Sequence, residues 1–186
     1  MKVDFAAHPA GIEGLMIVTM KQVGDERGTV RELFRRSAFE GTGIEIAALQ
    51  QINITESLRP AIRGMHAEEM TKLVTIALGE AFAAFVDLRP GSRTRGRTET
   101  VVLRPGVAVL VPSGVANGFQ AVSDVVQYVY CFDREWQPGM PGAACNPLDP
   151  ALAISWPLPV DPDDPAQIST KDRGAPMFAD LVEADS

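Results

Sequence analysis

Glycine and proline decide what this chain can become. Fourteen prolines and sixteen glycines are spread through 186 residues rather than gathered into linkers. Between them lie short apolar runs rich in β-branched residues: GLMIVTMKQV (14–23), TVRELF (29–34), EIAALQQINIT (45–55), KLVTIAL (72–78), EAFAAFVDL (80–88), TETVVL (98–103), VAVLVP (107–112) and DVVQYVYCF (124–132). Several alternate apolar with polar, as at Gln51-Ile52-Asn53-Ile54-Thr55 and Gln127-Tyr128-Val129-Tyr130. Period-two alternation between closely spaced turn residues predicts an all-β sandwich or barrel. Helix signal is sparse: one short helix in RRSAFEGTGIE, with Ser37 as N-cap and Gly41 as its stop, and a second in the terminal FADLVEADS. After residue 138 proline dominates, which predicts an extended segment, 139–186, wrapped over a β core at about 15–138. The whole, residues 1–186, reads as one domain.

Charge removes several classes of function. The net charge is −7, so a nucleic-acid or anionic-membrane partner finds no general basic face. Any anionic ligand needs a local cluster of cations. No apolar stretch approaches a membrane span, and the first twenty residues do not have the form of a secretory signal. Cys131 and Cys145 have no metal-ligand spacing and read as free thiols in a reducing cytoplasm.

The chain has two histidines. His8 lies near a start that reads as unstructured, whereas His66 sits in AIRGMHAEEMTKLV, between Arg63 and Lys72. KLVTIALGEAFAAFVDLR reads as strand, turn at Gly79, strand, and LRPGVAVLVPSGVANGF repeats the pattern. Such hairpins around a barrel mouth predict a cupin-like jelly roll. A metal-binding member would group two or three histidines with a carboxylate. One imidazole beside Glu68 and Glu69 makes a poor site, so no metal or other cofactor is expected.

Read together and in order, GDERGTVRELF, QQINITES, IRGMH, TKLV, GEAFAAFVDLR, VPSGVANGF, YVYCFDREWQP, NPLDPALAISWP and STKDRGAP resemble the dTDP-4-dehydrorhamnose 3,5-epimerase family of sugar-nucleotide epimerases over about residues 15–180. The resemblance implies a jelly-roll homodimer in the cytoplasm and a nucleotide-sugar substrate. It implies His66 as general base, Asp172 as its carboxylate partner, Tyr130 as general acid, and Lys72 and Arg63 as cations near substrate oxygens. It also implies that Arg27, Glu32, Gln51 and Asn53 hold the nucleotide and its diphosphate.

Those residue types suit the chemistry in their own right. A proton beside a ketone is weakly acidic, so its removal needs a base and a stabilised enolate. A carboxylate can fix the tautomer of an imidazole base. Inversion needs a proton returned from the other face, which a tyrosine can supply. Tyr128 shares the parity of Tyr130 and is the alternative acid.

Three departures from the family pattern bear on substrate reading. Asn117 in VANGF stands where the family carries histidine, and it cannot exchange a proton. The connection from His66 to Lys72 is short and holds two carboxylates. Glu135-Trp136 replaces a tyrosine pair, with Trp136 able to stack on a base. These changes point to an unusual nucleotide sugar or to inversion at one carbon. Two other readings stay open here: another isomerase or lyase using the same His–Asp base, and a non-catalytic sugar-nucleotide-binding protein.

Overall fold

The structure is a computed structural model and describes residues 1–40 and 49–184. Its strands are β1 (Lys2–Val3), β2 (Ala6–Pro9), β3 (Met16–Thr19), β4 (Gln22–Asp25), β5 (Gly28–Arg31), β6 (Gln51–Leu58), β7 (Ile62–Glu68), β8 (Lys72–Leu78), β9 (Ala81–Asp87), β10 (Thr98–Leu103), β11 (Val107–Val111), β12 (Val115–Ala121), β13 (Val125–Phe132) and β14 (Gly142–Ala144). The helices are α1 (Arg36–Phe39), α2 (Thr170–Arg173) and α3 (Phe178–Ala184). Two sheets face each other in a jelly-roll sandwich, one ordered β2-β3-β11-β8-β13-β6 and the other β10-β9-β12-β7-β14. A small third sheet is ordered β1-β4-β5.

Period-two alternation builds this architecture. Along β13, Val126, Tyr128 and Tyr130 point between the sheets, while Val129 and Cys131 point outward. The inter-sheet core takes Val74, Ile76 and Val109 from one sheet and Phe85, Leu103 and Phe119 from the other. The outer faces are covered too. Phe39 of α1, with Phe5 and Phe34, packs on the larger sheet. Leu152, Ile154, Trp156, Phe178 and Leu181 pack on the smaller one. That is why Ala81–Asp87 is almost uniformly buried rather than alternating in exposure: both its faces are dry. Each fully buried large side chain contributes about 1.5–3 kcal/mol by burial.

Several local expectations are corrected. The run 14–23 is not one strand: β3 joins the larger sheet and β4 the small one. The start is ordered, with His8 on β2 paired to Ile17. Ser37 is not the cap of α1, because it lies inside the helix; Arg35 occupies the cap position without a side-chain hydrogen bond. Gly41, the expected stop, lies outside the described residues. Residues of the segment after 138 pack on the smaller sheet, and the segment also adds β14 to that sheet's edge beside β7.

Candidate active site

Toward one end of the sandwich the inward-facing positions turn polar. They line a cavity of about 620 Å³ between the sheets. The same parity that places Val74 and Ile76 in the core delivers Lys72 from β8. Tyr130 comes from β13, Asn53 from β6, His66 and Arg63 from β7, and Asn117 from β12. Residues 165–169 and 171–172 of the wrapping segment form the remaining wall. That wall is pinned to β7 by the amide of Ile62 donating to the Gln167 carbonyl at 2.7 Å.

β7 and β12 approach closely because both carry glycine where they meet. Gly64 has φ +113°, and a Cβ there would lie 2.5 Å from the Gly118 Cα. A register shift between Asn117 and Phe119 accompanies this contact. It leaves Asn117 directly opposite His66.

His66 and Asp172 are far apart in sequence but bonded. His66 Nε2 lies 2.7 Å from Asp172 Oδ1. The Gly64 amide donates to Asp172 Oδ2 at 3.3 Å. The α2 cap fixes the aspartate as well, since its own amide donates to Ser169 Oγ at 3.0 Å. Burial pushes the Asp172 carboxyl up, but the hydrogen bond and charge of His66 and the donors around it outweigh that and hold it below the ordinary aspartate range. With the Nε2 proton toward this carboxylate, Nδ1 keeps the lone pair that a base needs.

Lys72 is buried, with its ammonium donating to the His66 carbonyl at 3.1 Å and to the Glu68 carboxylate. The short connection from His66 to Lys72 is a tight reversal, tied by reciprocal bonds between Thr71 and Asp133. Arg63 donates to Ser57 Oγ at 2.8 Å and remains exposed at the mouth.

The two tyrosines separate by depth. Tyr128 is fully buried, stacked on Phe119, and accepts a hydrogen bond from Asn117 Nδ2 at 3.2 Å. Tyr130 lines the cavity. Burial raises its phenol far above the ordinary value, and the charges of Glu68 and Asp172 add to that against Arg63. It is therefore a protonated donor at neutral pH.

At the rim, Trp136 lines the cavity and is 47% exposed, with its amide bonded to Gln51 Oε1 at 2.7 Å. Gln51 does not line the cavity itself, but its amide group also donates to Asn53 Oδ1 at 3.0 Å. Arg27 and Glu32, which the resemblance implies hold the nucleotide and its diphosphate, do not line this cavity. Arg27 lies between β4 and β5, on the small separate sheet, and is held by Asp25 at 2.6 Å. Glu32 follows β5 and pairs with Arg35. Sequence reasoning missed Phe132, Gln167 and Lys171, which also line the cavity. Phe132 shares the parity of Tyr130, and Lys171 adjoins Asp172, so both carried a usable signal.

A jelly roll with an imidazole–carboxylate pair on one wall of its inter-sheet cavity and a protonated phenol from the other sheet defines a sugar-epimerase type of site. The model of the dTDP-4-dehydrorhamnose 3,5-epimerase family matches residues 9–180, and the chain belongs to that family. It is 32% identical over 185 residues to a dTDP-4-dehydrorhamnose 3-epimerase of Streptomyces niveus, covering 95% of this chain and 85% of the relative. Among solved structures, it resembles NovW, a 4-keto-6-deoxy sugar epimerase of Streptomyces spheroides, with TM-score 0.89 and 31% identity over 99% of this chain and 92% of that one. It also resembles the dTDP-6-deoxy-D-glucose-3,5-epimerase of Legionella pneumophila in complex with dTDP-4-keto-L-rhamnose, with TM-score 0.85 and 30% identity over 96% and 97% of the two chains. The chain is thus a member of an isomerase family.

Proposed function

We propose that this protein is a cofactor-free epimerase acting on a 4-keto-6-deoxyhexose carried by a nucleoside diphosphate, at the carbons beside the ketone. The observation that carries the reading is the His66–Asp172 pair and the Tyr130 phenol, which reach one cavity from opposite sheets.

The steps follow from those groups. His66 takes the proton from the carbon beside the ketone and becomes an imidazolium, which the Asp172 charge stabilises. The electron pair moves to the ketone oxygen, where the Lys72 ammonium meets the developing charge. Tyr130 gives its proton to the opposite face, inverting the centre. Solvent exchange then returns a proton to Tyr130 and removes one from His66.

Trp136 offers an aromatic platform for the base, while Arg63 and Lys171 offer cations to the diphosphate at the rim. Asn53, bridged through Gln51 to Trp136, offers an amide to the nucleotide.

The active unit is a homodimer. Val23 and Val30 on the small sheet and Ile52 and Ile54 on the edge strand β6 expose apolar side chains that a second copy would cover. In such a dimer the hairpin bearing Arg27 and Glu32 is free to serve the partner's cavity. A cytoplasmic setting suits the two free, buried thiols, Cys131 and Cys145. Among the described residues no helix is long and apolar enough to cross a membrane.

The test is proton NMR of a nucleoside-diphosphate 4-keto-6-deoxyglucose in deuterated water with the protein. Loss of the signal at the carbon beside the ketone, with inversion, is expected. A folded protein that leaves both neighbouring protons unexchanged refutes the reading.

A further inference from the structure

Lys72 poses a problem that the proposed mechanism does not solve. Its side chain is 3% exposed, and an isolated ammonium at that depth tends to lose its proton. Yet enolate stabilisation needs it charged. An ammonium has three N–H donors. The His66 carbonyl takes one, at 3.1 Å, but a neutral carbonyl compensates little of the buried charge. The Glu68 carboxylate takes a second. That leaves one donor uncommitted, on a side chain that lines the cavity.

The surroundings single out Glu68. The other charged or titratable groups lining the cavity are His66 and Arg63 of β7, Tyr130 of β13, and Lys171 and Asp172 of α2. β6 and β12 present only neutral polar groups there, Asn53, Thr55 and Asn117. Of the two carboxylates, Asp172 is engaged with His66 and Gly64. Glu68 is the one that contacts the ammonium, and the reversal between β7 and β8 holds it in place. Besides the reciprocal Thr71–Asp133 bonds, the Glu69 amide donates to the Pro141 carbonyl at 3.4 Å.

We propose that Glu68 is a positioning residue for the reaction: its carboxylate keeps the buried Lys72 ionised and directs the remaining N–H of that ammonium at the substrate oxygen. The inference rests on the reading that Lys72 meets the enolate. The balance of effects agrees with it. Burial lowers the Lys72 ammonium from the ordinary lysine value, and the charge and hydrogen bond of Glu68 oppose that fall. On the Glu68 side, burial pushes the carboxyl up, and Lys72 overrides it to leave the group below the ordinary range.

The sequence carries four lysines, so a lysine-specific 13Cε NMR titration is tractable, with Lys72 assigned by its absence in Lys72→Met. In Glu68→Gln, the Lys72 resonance should titrate about one to three pH units lower than in the wild type, the usual effect of losing an opposite charge in contact. The basic limb of the pH profile for deuterium wash-in should move down with it. Glu68→Asp, which keeps the charge, should hold Lys72 near its wild-type titration. Should Glu68→Gln not fold, Lys72→Met provides the reciprocal measurement: the Glu68 carboxyl should then titrate higher by a comparable amount, because coupling is mutual.

A Lys72 titration unchanged in Glu68→Gln, or a Glu68 titration unchanged in Lys72→Met, overturns the proposal. A Lys72 shift with no movement of the basic limb overturns its role in the reaction. A wild-type protein that exchanges no protons refutes the epimerase reading instead, and the titrations still decide whether Glu68 governs Lys72.

Discussion

Replacing Asp172 with asparagine tests the site through one bond. The wild-type carboxylate accepts from His66 Nε2 at 2.7 Å and from the Gly64 amide at 3.3 Å. Asparagine keeps the shape but has only one oxygen. If that oxygen faces Gly64, the NH2 faces Nε2 and forces the imidazole proton onto Nδ1, which removes the lone pair from the substrate side. If it faces His66, the tautomer survives but the charge that stabilises the imidazolium is gone. A charge-assisted hydrogen bond contributes about 1.5–3 kcal/mol. The His66 side chain is 36% exposed, which places the effect toward the lower end. At about 1.4 kcal/mol per tenfold, loss of the charge alone slows exchange roughly 10- to 100-fold. The wrong tautomer adds to that, toward the ~10⁴-fold seen for the equivalent change in a serine-protease triad. The assay is the rate of deuterium wash-in beside the ketone at saturating substrate, with nucleotide affinity measured in parallel. Asp172→Asn should slow wash-in by about 10- to 10⁴-fold, depending on which way the amide faces, with affinity nearly unchanged, and His66→Asn should abolish it. The same substitution alters acid stability. The folded carboxyl of Asp172 lies below the unfolded value, so it stabilises the fold above about pH 4 and that contribution disappears as pH falls through the folded value. The variant should therefore lose less melting temperature between pH 7 and pH 3 than the wild type. A folded Asp172→Asn protein that exchanges protons within threefold of wild type refutes the dyad, and His66→Asn exchange at the wild-type rate refutes the base itself.

The remaining expectations address the other parts of the site. Tyr130→Phe should retain deuterium wash-in with unchanged configuration while inversion falls, as read by NMR of recovered substrate; a small effect on inversion would mean a one-base mechanism. Trp136→Ala should weaken nucleoside diphosphate binding by about 1–3 kcal/mol if its ring stacks on the base, measured by calorimetry, with wash-in at saturation nearly preserved. Gly64→Ala should destabilise the fold by about 1–3 kcal/mol or more in chemical denaturation, because φ +113° and a 2.5 Å contact with Gly118 both oppose a Cβ. Activity should survive chelation, and loss after EDTA with recovery on one divalent ion would overturn the cofactor-free reading.

Periodicity carried the fold well where strands were long and alternating. β8, β10 and β13 lie within runs visible in the sequence, and β6 begins inside one but runs three residues past its end at Thr55, because one face of each meets the inter-sheet core or cavity. It carried little where pairing supplies the order: β1 and β2 are two and four residues long, and Lys2–Val3 and Ala6–Pro9 become strands only against β4 and β3. The site behaved similarly. His66, Lys72 and Tyr130 were named through the family resemblance, and their places on β7, β8 and β13 bring them to one cavity. The choice between Tyr128 and Tyr130 was not legible in the pattern, since both share parity and only depth in the sandwich separates the buried ring from the one at the cavity wall. The pairing of Asp172 with His66 spans 106 positions and arises from how the wrapping segment closes the cavity, which no local pattern encodes. Arg27 and Glu32 lie on a hairpin whose sheet stands apart, and a local motif says nothing about which cavity a hairpin serves.

In the proposed reaction the sandwich supplies two different residues, rather than one, to handle the proton. Inward-facing residues of opposed sheets point toward each other, so in the proposed reaction a sugar ring held between them meets His66 from β7 on one face and Tyr130 from β13 on the other. Inversion at a carbon is then a consequence of where the ring sits. Whether a second carbon is inverted depends on the ring turning so that its other neighbour to the ketone faces His66. In the proposed reaction the side chain beside His66 on the paired strand is placed to influence that turn, and here it is Asn117, already committed to the Tyr128 oxygen and the Gly118 carbonyl. An amide fixed by two bonds, and unable to carry a proton, holds one ring orientation better than it relays between two. The expectation for this chain is exchange dominated by one carbon. Asn117→His, which places a proton-carrying group beside the base on the same sheet, should increase wash-in at the second carbon relative to the first. Equal wash-in at both carbons in the wild type would refute that role for Asn117.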